Sequence, residues 1–374
     1  MMNPHTATAP FSCTYTPNLP ELLTKLNCSI VISTFQAGKI VMLSPQDENT
    51  LFQLVRDFNK PMGVAFKEDW MAVATESEVI LLKDSPELAK TFPHAPNTYD
   101  HFYFPRSTYY TGNVDIHDLH FGKNGELWAV NTSFSALCTI GNDYSFSVNW
   151  TPPFISSISS GDRCHLNGLA MKDGEPEYVS ALGTGDTPQS WRENITKGGA
   201  IIHIPSKEVV ATGLAMPHTP RLYDGKLYCL LSAAQELVCI DVETGKYDVV
   251  AHIPGFVRGM DRIGDYLCIA TSKLRKNSST FRHLQIADAA DKATITMLHL
   301  PTASIVSRLE YQMSVDEIYD VQLLPDALRP NLFNTTSGMH NQVLHLPKAT
   351  FWAMPSQQKP PQRKVVQKQV EVVT

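Results

Sequence analysis

Along most of the chain, apolar and polar residues alternate in short runs, the period of a half-buried β-strand, and helical periodicity is nearly absent outside Ser279–Asp291. One pattern recurs: a polar lead-in, a small or turn-forming residue, then alternating apolar positions. The copies are Lys60–Phe66, Asp115–Phe121, His165–Met171, Pro217–Tyr223, Phe256–Arg262 and Glu317–Leu323. Their fourth residues are Gly63, Asp118, Gly168, Pro220, Gly259 and Asp320, with steps of 55, 50, 52, 39 and 61 residues, a spacing that suits four-stranded blades with loops of variable size. Hairpin signals follow at Asn124-Gly125, Asp173-Gly174 and Asp224-Gly225, leading into β-rich runs at Leu127–Asn131, Tyr178–Leu182 and Leu227–Leu231.

The last inner strand, Ile318–Leu324, has no good partners after it, whereas Ser29–Thr34, Lys39–Leu43 and Leu51–Asp57 lack an inner strand before them. Spliced together they make one blade and remove two open sheet edges. The sequence therefore predicts an all-β protein: a six-bladed β-propeller closed by N-terminal strands pairing with the last inner strand. Residues 1–28 read as an N-terminal extension, 29–354 as the propeller, and 355–374 as a flexible basic tail rich in Pro and Gln.

Composition adds limits. With 31 basic and 37 acidic residues and no basic patch interleaved with aromatics, nucleic acid is not expected as a partner. No apolar run is long enough for a bilayer, and the start has neither the basic nor the apolar region of a signal peptide, so no membrane partner and a cytoplasmic location are expected. Seven scattered cysteines, with Cys229, Cys239 and Cys268 inside apolar runs, read as reduced thiols.

The first strand of each blade lines the central channel. The repeat phase therefore puts Lys60, Asp115, His117, His165, Asn167, His218, Arg258, Glu317 and Tyr319 at one mouth, with His120, Arg221, Asp261 and Gln322 below. The insertions at Gly183–Gly199 and Ser272–Lys292 both join second to third strands and overhang that mouth, where Trp191 and Arg192 would cover a bound small molecule. A third, aromatic-rich insertion over Asp84–Asn113 reads as a lid or rim against the second blade. His117, His165 and His218 come from three adjacent blades, and imidazoles converging in this way suit Zn, Fe, Cu or Mn, with Glu317 or Asp118 as a carboxylate ligand. They are equally suited to holding neighbouring blades together by hydrogen bonds. Neutral imidazoles and a carboxylate also do acid–base chemistry, which makes His117, Glu317 and Tyr319 the candidate catalytic groups. Arg258 and Arg221 are forks for a carboxylate or phosphate, or partners for Asp261, Asp320 or Glu317.

Several chemistries are missing: no Cys-x-x-Cys pair, no phosphate-binding Gly-rich loop, no Gly-x-Ser-x-Gly elbow, and no helix after Gly183-Thr-Gly-Asp that would make it a dinucleotide fingerprint.

The segments Val114–His120, Val130–Ser135, Trp150–Ser156, Asp162–Ala170, Ala181–Gly183 with Trp191–Asn194, Met216–Arg221, Pro254–Gly259 and Glu317–Gln322 resemble, in order, a family of bacterial propeller proteins of unknown function. Some of its members are joined to tetratricopeptide repeats. The resemblance spans roughly residues 28–335 and implies the propeller without an activity. More loosely, the chain is similar to the gluconolactonase, paraoxonase and strictosidine-synthase propellers. That similarity implies a Ca²⁺ site with Glu317, Asn167, Asp261 and Asp320 as counterparts, although the histidines depart from an all-oxygen set.

Three functions follow as expectations. The first is an enzyme whose funnel holds a divalent metal ion (Zn, Fe, Mn or Ca) on His117, His165, His218 and Glu317, doing hydrolase- or lactonase-like chemistry on a small polar or anionic substrate. Arg258, Arg221, Asn167, Trp191 and Arg192 would bind that substrate. The second is a non-catalytic propeller that binds a small molecule or peptide within a protein assembly, which leaves room for a protein partner. The third is an Fe or Cu oxidoreductase built on the histidines.

Overall fold

The computed structural model describes residues 9–274, 281, 284 and 286–353. The basic tail therefore lies outside the described residues, as do the first eight residues and much of the stretch expected to be helical; within that stretch a short helix is seen at Ile286–Ala289. Six antiparallel sheets form the six blades. Blade one runs Val64–Lys67, Trp70–Ala74, Glu78–Asp84 and His101–Tyr110. Blade two begins with Ile116–Phe121, blade three with Leu166–Lys172, blade four with Pro217–Tyr223 and blade five with Phe256–Ile263. Blade six is spliced as expected: Asp320–Pro325 pairs antiparallel with Cys28–Thr34, followed by Lys39–Pro45 and Leu51–Asp57. The Asp-Gly hairpins form with positive φ at both central residues, Asp173 and Gly174 and then Asp224 and Gly225, the geometry such dipeptides favour.

The chain ends add more than was read from them. Cys13–Tyr15, placed in the expected extension, pairs with the outer strand of blade five, Ser304–Tyr311. Pro330–Leu332 adds a parallel strand to blade one. The insertion expected to be a lid or rim, Asp84–Asn113, supplies blade one's outer strand and the helix Pro86–Lys90. Its aromatics are consumed by a cluster of Phe92, Phe102, Phe104 and Phe333 with Trp352 against it.

Blade faces meet through apolar clusters in which inner and second strands are almost wholly buried. The fourth repeat position explains how closely they meet. A Cβ on Gly259 would lie 2.7 Å from Val321 N, and one on Gly168 would lie 2.9 Å from Thr219 N. Where the position is Asp, the carboxylate stitches blades together. Asp118 accepts from Leu119 N at 3.0 Å and, across the gap, from Leu169 N at 2.9 Å. Asp320 does the same with Val321 N at 2.8 Å and Val64 N at 2.9 Å. Asp261, two residues further along its strand, accepts from Arg262 N at 2.8 Å and Leu323 N at 2.7 Å. Hydroxyls at second-strand ends close the same gaps, Ser33 to Met62 O at 2.6 Å, Thr132 to Leu166 O at 2.6 Å and Ser272 to Ile318 O at 2.8 Å.

Candidate functional site

In blades two to five the first strand bulges near its start. The register jumps past His117 and Asp118, Asn167 and Gly168, Thr219 and Pro220, and Arg258 and Gly259. A bulge re-aims side chains that a regular ladder would alternate between faces. Here it turns His117, Asn167, Thr219 and Arg258 into the channel, where they line one small cavity with His218, Tyr319, Asp118, Arg221 and Asp320. That neck offers water about 10 Å³, room for a single molecule. Anything larger has to sit above it.

The neck has two storeys. Below, Asp118 and Arg221 form a buried ion pair at 2.9 Å, and Arg221 also donates to the carbonyls of Leu169 at 2.8 Å and Pro220 at 3.0 Å. The guanidinium holds Asp118 well below the usual carboxylate range against its burial. Asp320, buried beside the charge of Asp118, is pushed up to about 7. Arg221, expected either to bind substrate or to pair with Asp261, Asp320 or Glu317, pairs with Asp118 and is thus committed within the protein. So are Asp261 and Asp320, whose carboxylates hold backbone N–H groups where a calcium site would have needed them.

Above, the chemistry is different. Arg258 lies over the Tyr319 ring at 4.2 Å, its Nε is buried without a hydrogen-bond partner, and among the described residues it makes no ion pair. Asn167 Nδ2 is likewise buried and unpartnered. His218 is buried, its Nδ1 2.9 Å from Met216 O and 2.7 Å from Ser232 Oγ. His117 Nδ1 is 3.2 Å from Asp115 O. A carbonyl only accepts, so each Nδ1 carries the proton and each Nε2 keeps a lone pair. Burial first, then the positive field of Arg258, pushes His218 down to about 3; burial, His165 and Arg258 push His117 well below the usual imidazole value. Both rings are neutral at physiological pH.

His165 stands nearer the rim and does not line the neck. Its backbone is left-handed, with φ 51°, as are Lys60 and Asp115 at the same repeat position. Its Nδ1 faces both oxygens of Asp162 at 2.9 and 3.0 Å, and its ring lies 4.3 Å from that of Trp191 and 4.8 Å from that of His117. Trp191 is only 3% exposed and donates Nε1–H to Asp162 at 3.0 Å. It buttresses His165 and does not lie open as a cover, while exposed Arg192 lies over the indole ring at 4.5 Å. Glu317 is half-buried and does not line the neck. Among the described residues, no three His, Cys, Asp or Glu side chains stand together as metal ligands would. The expected trio is split by height, with His117 and His218 at the neck and His165 above.

Asp162 is the site residue that sequence reasoning missed. Its signal was its place three residues before His165, with a tryptophan in the insertion that folds back over both. All seven cysteines are free and five are buried; burial pushes the thiols of Cys28, Cys138, Cys164 and Cys229 up to about 12, which makes them inert. No helix among the described residues is long and apolar enough to cross a membrane.

Solved structures similar at low identity include these three. A chain of a nidogen/laminin complex shares 10% identity with a TM-score of 0.47, covering 80% of this chain and 99% of its own. A protein of unknown function from Bacteroides caccae shares 10% with a TM-score of 0.48, covering 79% and 98%. A streptogramin B lyase shares 11% with a TM-score of 0.36, covering 74% of each. No curated protein matches significantly. The family comparison is different in kind, because residues 17–333, which hold all six blades and every group at the mouth and neck, match one family model, and the chain belongs to the domain of unknown function family DUF4915.

Proposed function

We propose that the mouth of the channel binds a small organic anion, held by Arg258 and surrounded by neutral imidazoles. The observation that carries this reading is the half-buried guanidinium of Arg258, which has no carboxylate partner among the described residues. A cation removed from water without a counter-charge is costly, and the neighbouring Arg221 displays the ordinary remedy, a buried aspartate. At Arg258 the missing charge is left for a ligand to supply. Asn167 adds a second donor, while the single-water neck keeps the body of the ligand at the mouth.

The test is calorimetric titration with benzoate, citrate, gluconate and inorganic phosphate, on the wild type and on Arg258→Met, which keeps the stem over Tyr319. At least one anion should bind, and the substitution should weaken it tenfold or more. Binding by none of the panel, or equal binding by the variant, would overturn the proposal.

One observation favours a second reading, a metal-dependent hydrolase. All three histidines have Nδ1 occupied by an oxygen two or three residues before them in the chain, and an occupied second nitrogen is also a feature of metal-bound histidines. Elemental analysis of untagged protein decides it: stoichiometric Zn, Fe, Mn or Ca that is lost in His165→Ala would support it, and metal-free protein that still binds the anion would refute it.

A further inference from the structure

His165 differs from its two companions in what holds it. His117 and His218 lean on neutral carbonyls, whereas His165 leans on the carboxylate of Asp162. That carboxylate is itself fixed by a second donor, Trp191 Nε1 at 3.0 Å, from a separate insertion. The indole ring closes one side of the imidazole at 4.3 Å and the His117 ring meets it edge-on at 4.8 Å, so His165 has little freedom to rotate. Asp162 and His165 both sit in left-handed backbone, with φ of 48° and 51°. Such conformations are disfavoured for residues with a Cβ and persist where surrounding contacts require them.

The geometry points to His165 Nε2 as the hydrogen-bond acceptor that the site presents to its ligand, with Asp162 and Trp191 as the residues that position it. Nδ1–H is donated to Asp162, which leaves the Nε2 lone pair as the group presented to a ligand. A carboxylate behind an imidazole orients the ring and fixes its tautomer. Resting on the anion-binding reading, this narrows the ligand to an acid that also carries a donor: its carboxylate goes to Arg258, and an O–H or N–H elsewhere in the molecule goes to His165 Nε2. A plain alkyl or aryl acid would leave that lone pair unanswered.

Two measurements test this separately. Side-chain ¹⁵N correlation spectra of the ligand-free protein should show His165 as the Nδ1–H tautomer in the wild type and in Trp191→Phe, which keeps the ring. In Asp162→Asn, whose one amide oxygen is shared between two donors, the tautomers should mix while His117 and His218 stay unchanged. An Nε2–H tautomer in the wild type, or no change in Asp162→Asn of native circular dichroism, overturns the inference. Calorimetry then compares matched acids: lactate with propionate, 3-hydroxybutyrate with butyrate, and 4-hydroxyphenylacetate with phenylacetate. In at least one pair the hydroxy acid should bind tenfold or more tightly, and Asp162→Asn should erase that preference while leaving the plain acid alone. If every pair binds equally, or no matched acid binds while one of the earlier panel does, the inference fails and the anion site stands; if neither these acids nor any of the earlier panel binds, the anion site itself fails.

Discussion

Breaking the Asp118–Arg221 pair should reveal how the lower channel is held. In Asp118→Asn the buried Arg221 loses its counter-charge but keeps the carbonyls of Leu169 and Pro220. In Arg221→Met the carboxylate keeps two backbone N–H donors, with His120 Nε2 at 3.1 Å. Stranding one member of a buried pair costs about 3–5 kcal/mol, and the remaining partners put each single change near the low end, about 3 kcal/mol. The double variant leaves neither charge stranded and should also cost about 3 kcal/mol, giving a coupling of about 3 kcal/mol. Urea unfolding of the four proteins, followed by tryptophan fluorescence and circular dichroism together, measures this if the two probes coincide. Single effects that add to within about 0.5 kcal/mol would refute the reasoning, because the two charges would then not depend on each other.

Three further outcomes follow. Gly259→Ala should destabilise by about 1–3 kcal/mol in the same assay, since its Cβ would lie within 3.0 Å of the backbone of blade six and no flexible side chain can yield. Asp320 has a folded pKa raised to about 7 against about 3.9 when unfolded, so its stabilising contribution is complete below about pH 4 and is lost as pH rises to about 7. Asp320→Asn should therefore flatten that fall, by up to about 4 kcal/mol between those limits, beyond a pH-independent offset for the acceptor lost to Val64 or Val321, as stability curves at pH 4, 5.5 and 7 would show. Deleting residues 28–57 removes three of the four strands of blade six and exposes the inner strand Asp320–Pro325, so the remainder should show no cooperative thermal transition by calorimetry.

The blades were legible because their signals are local. Asp-Gly turns specify hairpins within a few residues, alternation assigns faces, and the orphaned strands at 29–57 announce the splice by lacking an inner partner. The repeat phase also says which positions enter the channel: of the nine residues assigned to the mouth, His117, Asn167, His218, Arg258 and Tyr319 line the neck, and Lys60, Asp115, His165 and Glu317 do not. What the phase cannot convey is height or commitment. His117, His165 and His218 looked nearly equivalent, yet the bulges turn His117 and the start of blade four into the neck and leave His165 at the rim. The same phase puts Arg221 below Arg258, with Asp261, Asp320 or Glu317 as alternative partners, yet the carboxylate that holds it is Asp118, from two blades away, and Arg258 has none among the described residues. Asp162 and Trp191 meet His165 from a preceding loop and a distant insertion, a contact no periodicity encodes. The sequence by itself determined the ring of six blades and the end of the channel where its polar groups gather, because repeats and turns act over short distances. Only the tertiary structure decided which charges cancel and which stay open to a ligand, because that depends on the closure of the ring, which places residues a hundred positions apart within a hydrogen bond of each other.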